Sequence, residues 1–196
     1  EEAHRLYARA LQVSRDRLGD GAPTTIDALE ALAGTCVDLG RGAEAEVLYA
    51  ELMETLETTL ERDDPRLLDV LNDIALHHGA AGREREALVL LERVLEARRE
   101  VLGRSHPTTL ASLANLAEAK SEGGAFDEAQ ELFEELIEHE PRIFGARHPR
   151  VLLIPSNLSM HYERQGRFEE ALELEHDVLA ARREVLGEEH SSTLVS

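Results

Sequence analysis

Hydrophobic residues in this chain fall at helical spacing rather than in strand-like alternation. Leu29, Leu32 and Ala33, then Leu71, Ile74 and Ala75, then Leu113, Leu116 and Ala117 each place apolar side chains on one helix face. A glycine follows each stripe, at Gly40, Gly82 and Gly124, with Gly166 in the same register. After it a second amphipathic run begins, as in Ala87, Leu90, Leu91, Val94 and Leu95. Pro23, Pro65 and Pro107 precede the stripes, where the first turn of a helix tolerates a missing N–H. The pattern predicts a unit of helix A, a tight glycine turn that ends it, and helix B. Small residues after the turn (Ala3, Ala45, Ala87, Ala129 and Ala171) let the two helices approach closely. Neither helix can bury its stripe alone, so the units must stack on their neighbours.

The unit repeats without insertion or deletion. Leu18-Gly19-Asp20-Gly21-Ala22-Pro23 returns as Leu60 to Pro65, Leu102 to Pro107, Phe144 to Pro149 and Leu186 to Ser191, at a period of 42 residues. Leu6, Leu48, Leu90, Leu132 and Leu174 keep the same register. Residues 1–18 read as a helix B without its helix A. Four full units are expected at about 24–60, 66–102, 108–144 and 150–186, and residues 190–196 read as the start of a further one. Neither end carries the polar helix that closes natural arrays, so an excised piece of a longer protein is expected. Pro141 falls in a predicted helix B and Pro155 in a predicted helix A, and each is expected to bend or locally break its helix.

The internal pattern identifies the repeat. Leu113-x2-Leu116-Ala117 with Ala129-x3-Phe133, and Leu29-x2-Leu32-Ala33 with Ala45-x3-Tyr49, fit the tetratricopeptide signature, although the last unit breaks it at Glu175. Leu102-Gly-x-x-His106-Pro107-x-Thr109-Leu110, then Asn115-Leu116-Ala117, Gly124 and Ala129, resembles the 42-residue tetratricopeptide (TPR) repeat of the kinesin light chains and of similar bacterial proteins. The resemblance covers the whole chain. It implies an all-α, right-handed superhelical solenoid of helix-turn-helix units that serves as a protein-binding scaffold, with no catalytic residues and no cofactor.

Composition narrows the setting. No apolar run approaches the ~20 residues of a membrane span. The amino-terminal residues have neither the charge nor the apolar stretch of a signal peptide. One cysteine, Cys36, excludes an internal disulfide framework and fits a reducing, cytoplasmic compartment. A formal charge of −19 argues against nucleic acid and anionic membranes as partners and is compatible with a basic one. The same charge also serves to keep a long exposed array soluble.

Local chemistry adds little. Of the nine histidines, His106, His148 and His190 belong to the repeated inter-unit loop, and His77-His78 point about 100° apart. No His-Glu-x-x-His or Cys-x2-Cys occurs, so no metal site is expected. Cys36 shares a column with His78 and Tyr162 and reads as a buried structural thiol. Arg98-Arg99 and Arg182-Arg183 sit near helix B carboxyl ends, where cations complement the helix dipole; a phosphate patch is the second reading.

The resemblance also assigns a concave face to helices A. It turns inward Asp27, Glu30, Ala31 and Gly34, then Asp69, Asn72, Asp73 and Leu76, then Ala111, Ala114, Asn115 and Glu118, then Leu153, Ser156, Asn157 and Met160. Glu122 and Glu163 add to the rim. Asn115 and Asn157 are suited to a ligand's backbone amides. The expected ligand is an extended peptide or protein segment with basic residues and an apolar anchor, held by Asp27, Glu30, Asp69, Asn72, Asp73, Asn115, Glu118, Leu153, Asn157 and Met160. Kinesin light chains hold acidic cargo with basic groove positions, a preference that does not carry over. Two alternatives remain open: a regulatory or sensor array of a larger signalling protein whose effector lies elsewhere, and a structural role in which open ends self-associate.

Overall fold

The computed structural model describes residues 1–145, 148, 151 and 153–186. Among these the chain is all helix. The order is α1 (Glu2–Leu18), α2 (Pro23–Asp38), α3 (Gly42–Thr59), α4 (Pro65–Ala80), α5 (Glu84–Leu102), α6 (Pro107–Glu122), α7 (Phe126–Phe144), α8 (Leu153–Arg164) and α9 (Phe168–Leu186). Helices A of the sequence pattern are α2, α4, α6 and α8, and helices B are α1, α3, α5, α7 and α9. His190, Pro149 and the further unit expected at 190–196 lie outside the described residues.

The contacts resolve into two compact units, Glu1–Leu90 and a second from Leu91 onward. In the first, α1 packs on α2, α2 on α3 and α3 on α4. Its core is the predicted stripes of α2 and α4 closed by Tyr49, Leu52 and Leu56 of α3, all buried. In the second, α6 packs on α7, α8 on α9, and α8 also meets α6 and α7. Leu113, Leu116, Phe133, Leu136 and Leu158 fill that core. Each such side chain contributes roughly 1.5–3 kcal/mol relative to exposure. Ala45, Ala87, Ala129 and Ala171 are all buried, as close approach of helices A and B requires, whereas Ala3 is exposed. The leucine column lies at the margin of the core instead, with Leu6 63% exposed.

Helix boundaries follow from named caps. Asp64 accepts the Arg66 N–H at 2.9 Å and starts α4. The ring of His106 does the same for α6, Nδ1 accepting from the Thr108 N–H at 3.2 Å, which gives that loop histidine its structural job. Gly40, Gly82, Gly124 and Gly166 take φ of 70°, 75°, 80° and 77° between helices A and B, a region that costs a side-chain-bearing residue. Where the inter-unit column has Glu61 instead of glycine, the chain leaves α3 at Leu60 through extended backbone (φ −117°, ψ 158°).

The expectation for Pro155 needs correction, and Pro141 removes a helical bond without breaking its helix. Helix α8 begins at Leu153, so Pro155 sits in its first turn, where no helical hydrogen bond is lost. Pro141 lies inside α7, but the helix continues to Phe144, and Gly145 donates to the Pro141 carbonyl at 3.0 Å to close the last turn. The carbonyl that Pro141 leaves unmatched belongs to Ile137, a residue 46% exposed on the outer face where water can serve it.

Candidate binding faces

In the first unit, α2 supplies Asp27 and Glu30, and α4 supplies Asp69, Asn72 and Asp73. The stripe Leu29, Leu32 and Ala33 holds α2 in the core, so Glu30 and Ala31 sit at its edge, half-buried. Asp27, Asp69 and Asp73 are exposed. The structure brings the four carboxylates into one electrostatic neighbourhood. The Glu30 carboxyl is pushed above the usual carboxylate range, first by burial and further by the negative charges of Asp73, Asp27 and Asp69; the Arg66 guanidinium opposes this. Arg66 donates to the Asp27 carboxylate. That arginine is a cation on a face read from sequence as almost free of them. It stands at the second residue of α4, in a repeat column that otherwise reads Thr24, Thr108 and Arg150. The buried Tyr49 hydroxyl feels the same acidic field: burial, then Asp73 and Glu30, raise its pKa.

In the second unit, Asn115 and Glu118 of α6 and Leu153 and Asn157 of α8 line one cavity of about 230 Å³, whose wall also includes Glu140 of α7. Asn157 donates its side-chain N–H to the Glu118 carboxylate, linking the two helices A. Burial and the neighbouring Glu122 raise the Glu118 pKa, against Arg164 and the Asn157 hydrogen bond. The rim residue Glu122 is paired with Arg164 at 3.2 Å. Leu153 and Met160 are exposed apolar side chains, at 54% and 45%; Met160 does not line the cavity.

Glu140 was not foreseen as part of this face. It is 2% exposed. The signal was present: Ala129, Phe133, Leu136 and Glu140 form one helical stripe of α7, and the equivalent of Glu140 in α3 is the buried Leu56. The same column holds Arg98 and Arg182 as well as Leu56, so charged residues recur at this position. Each unit thus carries carboxylates on its helices A, and the second adds exposed apolar side chains beside its own.

The remaining polar groups fall into structural places. Arg98 is buried and donates to Ser112, so it locks α5 to α6 within the second unit and does not form a phosphate patch. Arg99 pairs with Glu135 at 2.5 Å. In the column of Cys36, Lys120 bridges Glu92 and Glu128 at 2.7 and 2.6 Å, and Tyr162 lies under the Arg167 guanidinium, 4.0 Å from its ring centroid. Cys36 is fully buried. Its neighbours, His4 and Glu44, were not singled out from sequence. Among the described residues no helix is long and apolar enough to cross a membrane.

The comparisons with known proteins agree with this architecture. The sequence profile of the tetratricopeptide repeat matches residues 25–100 and 66–139, and a second profile of that repeat matches 156–192. None of the curated proteins matches the chain. A crystal structure from Podosopora anserina, described as a kinesin light chain of nearly identical TPR-like repeats, is 28% identical over 93% of this chain and 87% of its own, with a TM-score of 0.83. A point variant of that protein gives 0.85 at 28% identity, covering 93% of this chain and 86% of its own. BtubC (BKLC) from P. vanneervenii shares the fold at 21% identity, over 98% of this chain and 75% of its own, with a TM-score of 0.75. Such repeats generally serve contacts between proteins and are typically non-enzymatic. With the repeat matched along more than half of its length, the chain belongs to the tetratricopeptide-repeat family.

Proposed function

We propose that this chain is a protein-interaction module whose helix A faces hold a peptide or protein segment carrying basic residues. The observation that carries this reading is that Glu30 lies in the field of Asp27, Asp69 and Asp73, opposed by the Arg66 guanidinium, which donates to Asp27. The neighbouring negative charges help raise the Glu30 pKa, and a cation placed beside them relieves that cost. In the second unit, the Asn115, Glu118 and Asn157 cavity offers amide and carboxylate acceptors, with Leu153 and Met160 as an exposed apolar anchor. Asn72 and Asn115 add groups suited to a ligand's backbone. The net charge of −19 draws a basic partner and repels nucleic acid and anionic membrane. A reducing, cytoplasmic setting suits the one buried thiol.

Peptide-library panning against the wild type, against Asp73→Lys and Glu118→Lys singly, and against the double variant tests the reading. Enrichment of Lys- and Arg-bearing sequences on the wild type is expected, weakened by each single change and lost in the double variant. If the wild type enriches no sequence, or the double variant enriches the same one, the acidic faces are not the working site.

A further inference from the structure

Three potential metal ligands from three different helices meet at one end of the first unit. His4 comes from the first turn of α1, Cys36 from the last turn of α2 and Glu44 from the first turn of α3. Their ligand atoms, the His ring nitrogen, Cys Sγ and a carboxylate oxygen, all lie within 4.8 Å of one another, and His4 Nε2 is 3.1 Å from Glu44 Oε1. Nothing in the repeat demands this set. The positions equivalent to His4 one and two units on are Glu46 and Leu88, and the column of Cys36 continues as His78, Lys120 and Tyr162. Among the described residues, sulfur, nitrogen and oxygen donors coincide only in the first unit.

We propose that His4, Cys36 and Glu44 form a binding site for a thiophilic divalent transition metal, Zn²⁺ by its donor set. One soft sulfur, one imidazole nitrogen and one carboxylate oxygen suit a tetrahedral zinc ion whose fourth ligand is water. The thiol loses its proton on binding: the S–H bond breaks, the sulfur electron pair forms the metal bond, and the proton leaves to solvent. Charge then closes within the cluster. A dication balances the thiolate and the Glu44 carboxylate.

The competing cation is Arg41, with Nη1 3.3 Å from His4 Nε2 and 3.5 Å from Glu44 Oε2. Its other terminal nitrogen already donates twice to Glu1, at 2.9 and 3.0 Å, and that carboxylate neutralises the guanidinium beside the site. The repeat supplies an independent indication that this position accepts positive charge. In the third full unit the equivalent of Cys36 is Lys120, whose ammonium sits against Glu128, the equivalent of Glu44, and against Glu92. Access runs past Glu44, whose side chain is 45% exposed, while the sulfur is buried.

The site is tested by titrating the whole chain, stripped with chelator and kept reduced, with Co²⁺ and then with Zn²⁺ against a chromophoric competitor. One equivalent should bind, and the cobalt form should show a thiolate-to-metal charge-transfer band in the near ultraviolet. Cys36→Ser should abolish that band. His4→Ala and Glu44→Gln, each first checked by circular dichroism for unchanged helix content, should each weaken Zn²⁺ binding by at least about tenfold. Zn²⁺ should raise the Tm of the wild type and not of Cys36→Ser, since the ion ties three helices together. The proposal is overturned if no band appears or if Zn²⁺ binds Cys36→Ser as tightly as the wild type. It is equally overturned if His4→Ala and Glu44→Gln both bind like the wild type.

Discussion

A buried imidazole beside two arginines is poorly placed to take up a proton. His161 is fully buried, with Phe133 and Phe126 at ring-centroid distances of 5.4 and 5.8 Å and Nδ1 3.0 Å from Ser121 Oγ. Burial first, then Arg167 and Arg164, hold its pKa below the ordinary 6.5. The unfolded chain therefore binds the proton more readily than the folded one. Its stabilising contribution is complete above 6.5 and is lost as pH falls through that value towards the lowered one. Glu30 and Glu118, with raised pKa values, act in the opposite sense, gaining protons on folding, so the His161 effect is best read as a difference. Tm measured across this range should fall less steeply on the acid side in His161→Gln than in the wild type. An unchanged profile would mean that His161 is not the group titrating. Its partner contact was legible in outline: Tyr49–His77 and Phe133–His161 pair an aromatic of helix B with a histidine of the next helix A, both 28 residues apart. The columns were visible in the sequence; which ring touched which depended on how helices of neighbouring units pack.

At the scale of the element, punctuation is what sequence expressed best. Gly82 holds φ of +75° with nothing within 4 Å of an added Cβ, so a substitution there meets only backbone strain. Gly82→Ala should cost about 1–2 kcal/mol in chemical denaturation with the helix content unchanged. A loss well beyond that would show that the turn packs against something its backbone conformation does not explain. Prolines were less readable. Their meaning depends on where the helix starts, and with α8 beginning at Leu153 a predicted break at Pro155 becomes an ordinary first-turn residue. Pro141 shows the reverse case, a genuine interior proline whose lost bond falls on the outer face of a well-packed helix. The inter-unit loop at Glu61 is a third lesson: a missing glycine there changes the local path of the chain, not the period.

For the molecule as a whole, a regular 42-residue period made fold class and family legible from sequence alone. The faces were legible only in part. Repeat position identified Asp27, Glu30, Asp69 and Asp73, but not Arg66 among them, because a long side chain reaches further than its column implies. It found Asn115, Glu118, Leu153 and Asn157, but not Glu140, whose importance comes from burial. The binding reading carries its own signature. Exposed charges are screened over about 8–10 Å at moderate ionic strength, so affinity for a basic peptide should fall steadily with added salt. It should also fall as pH drops through the raised carboxyl values of Glu30 and Glu118, since protonation removes the attraction. Titration calorimetry across salt and pH checks both, and a binding constant indifferent to either would point to an apolar contact instead.

Arg66 gives that reading a threshold. Its guanidinium already occupies the acidic face as a tethered stand-in for a basic ligand, at the high effective concentration that a covalent link provides. A solitary lysine diffusing up to α2 must displace a competitor that never leaves, whereas a segment with several cations brings more charge to the same acidic field than the one guanidinium supplies. If the first unit binds basic segments as proposed, the resident arginine sets a valence filter, favouring clustered positive charge over single cations.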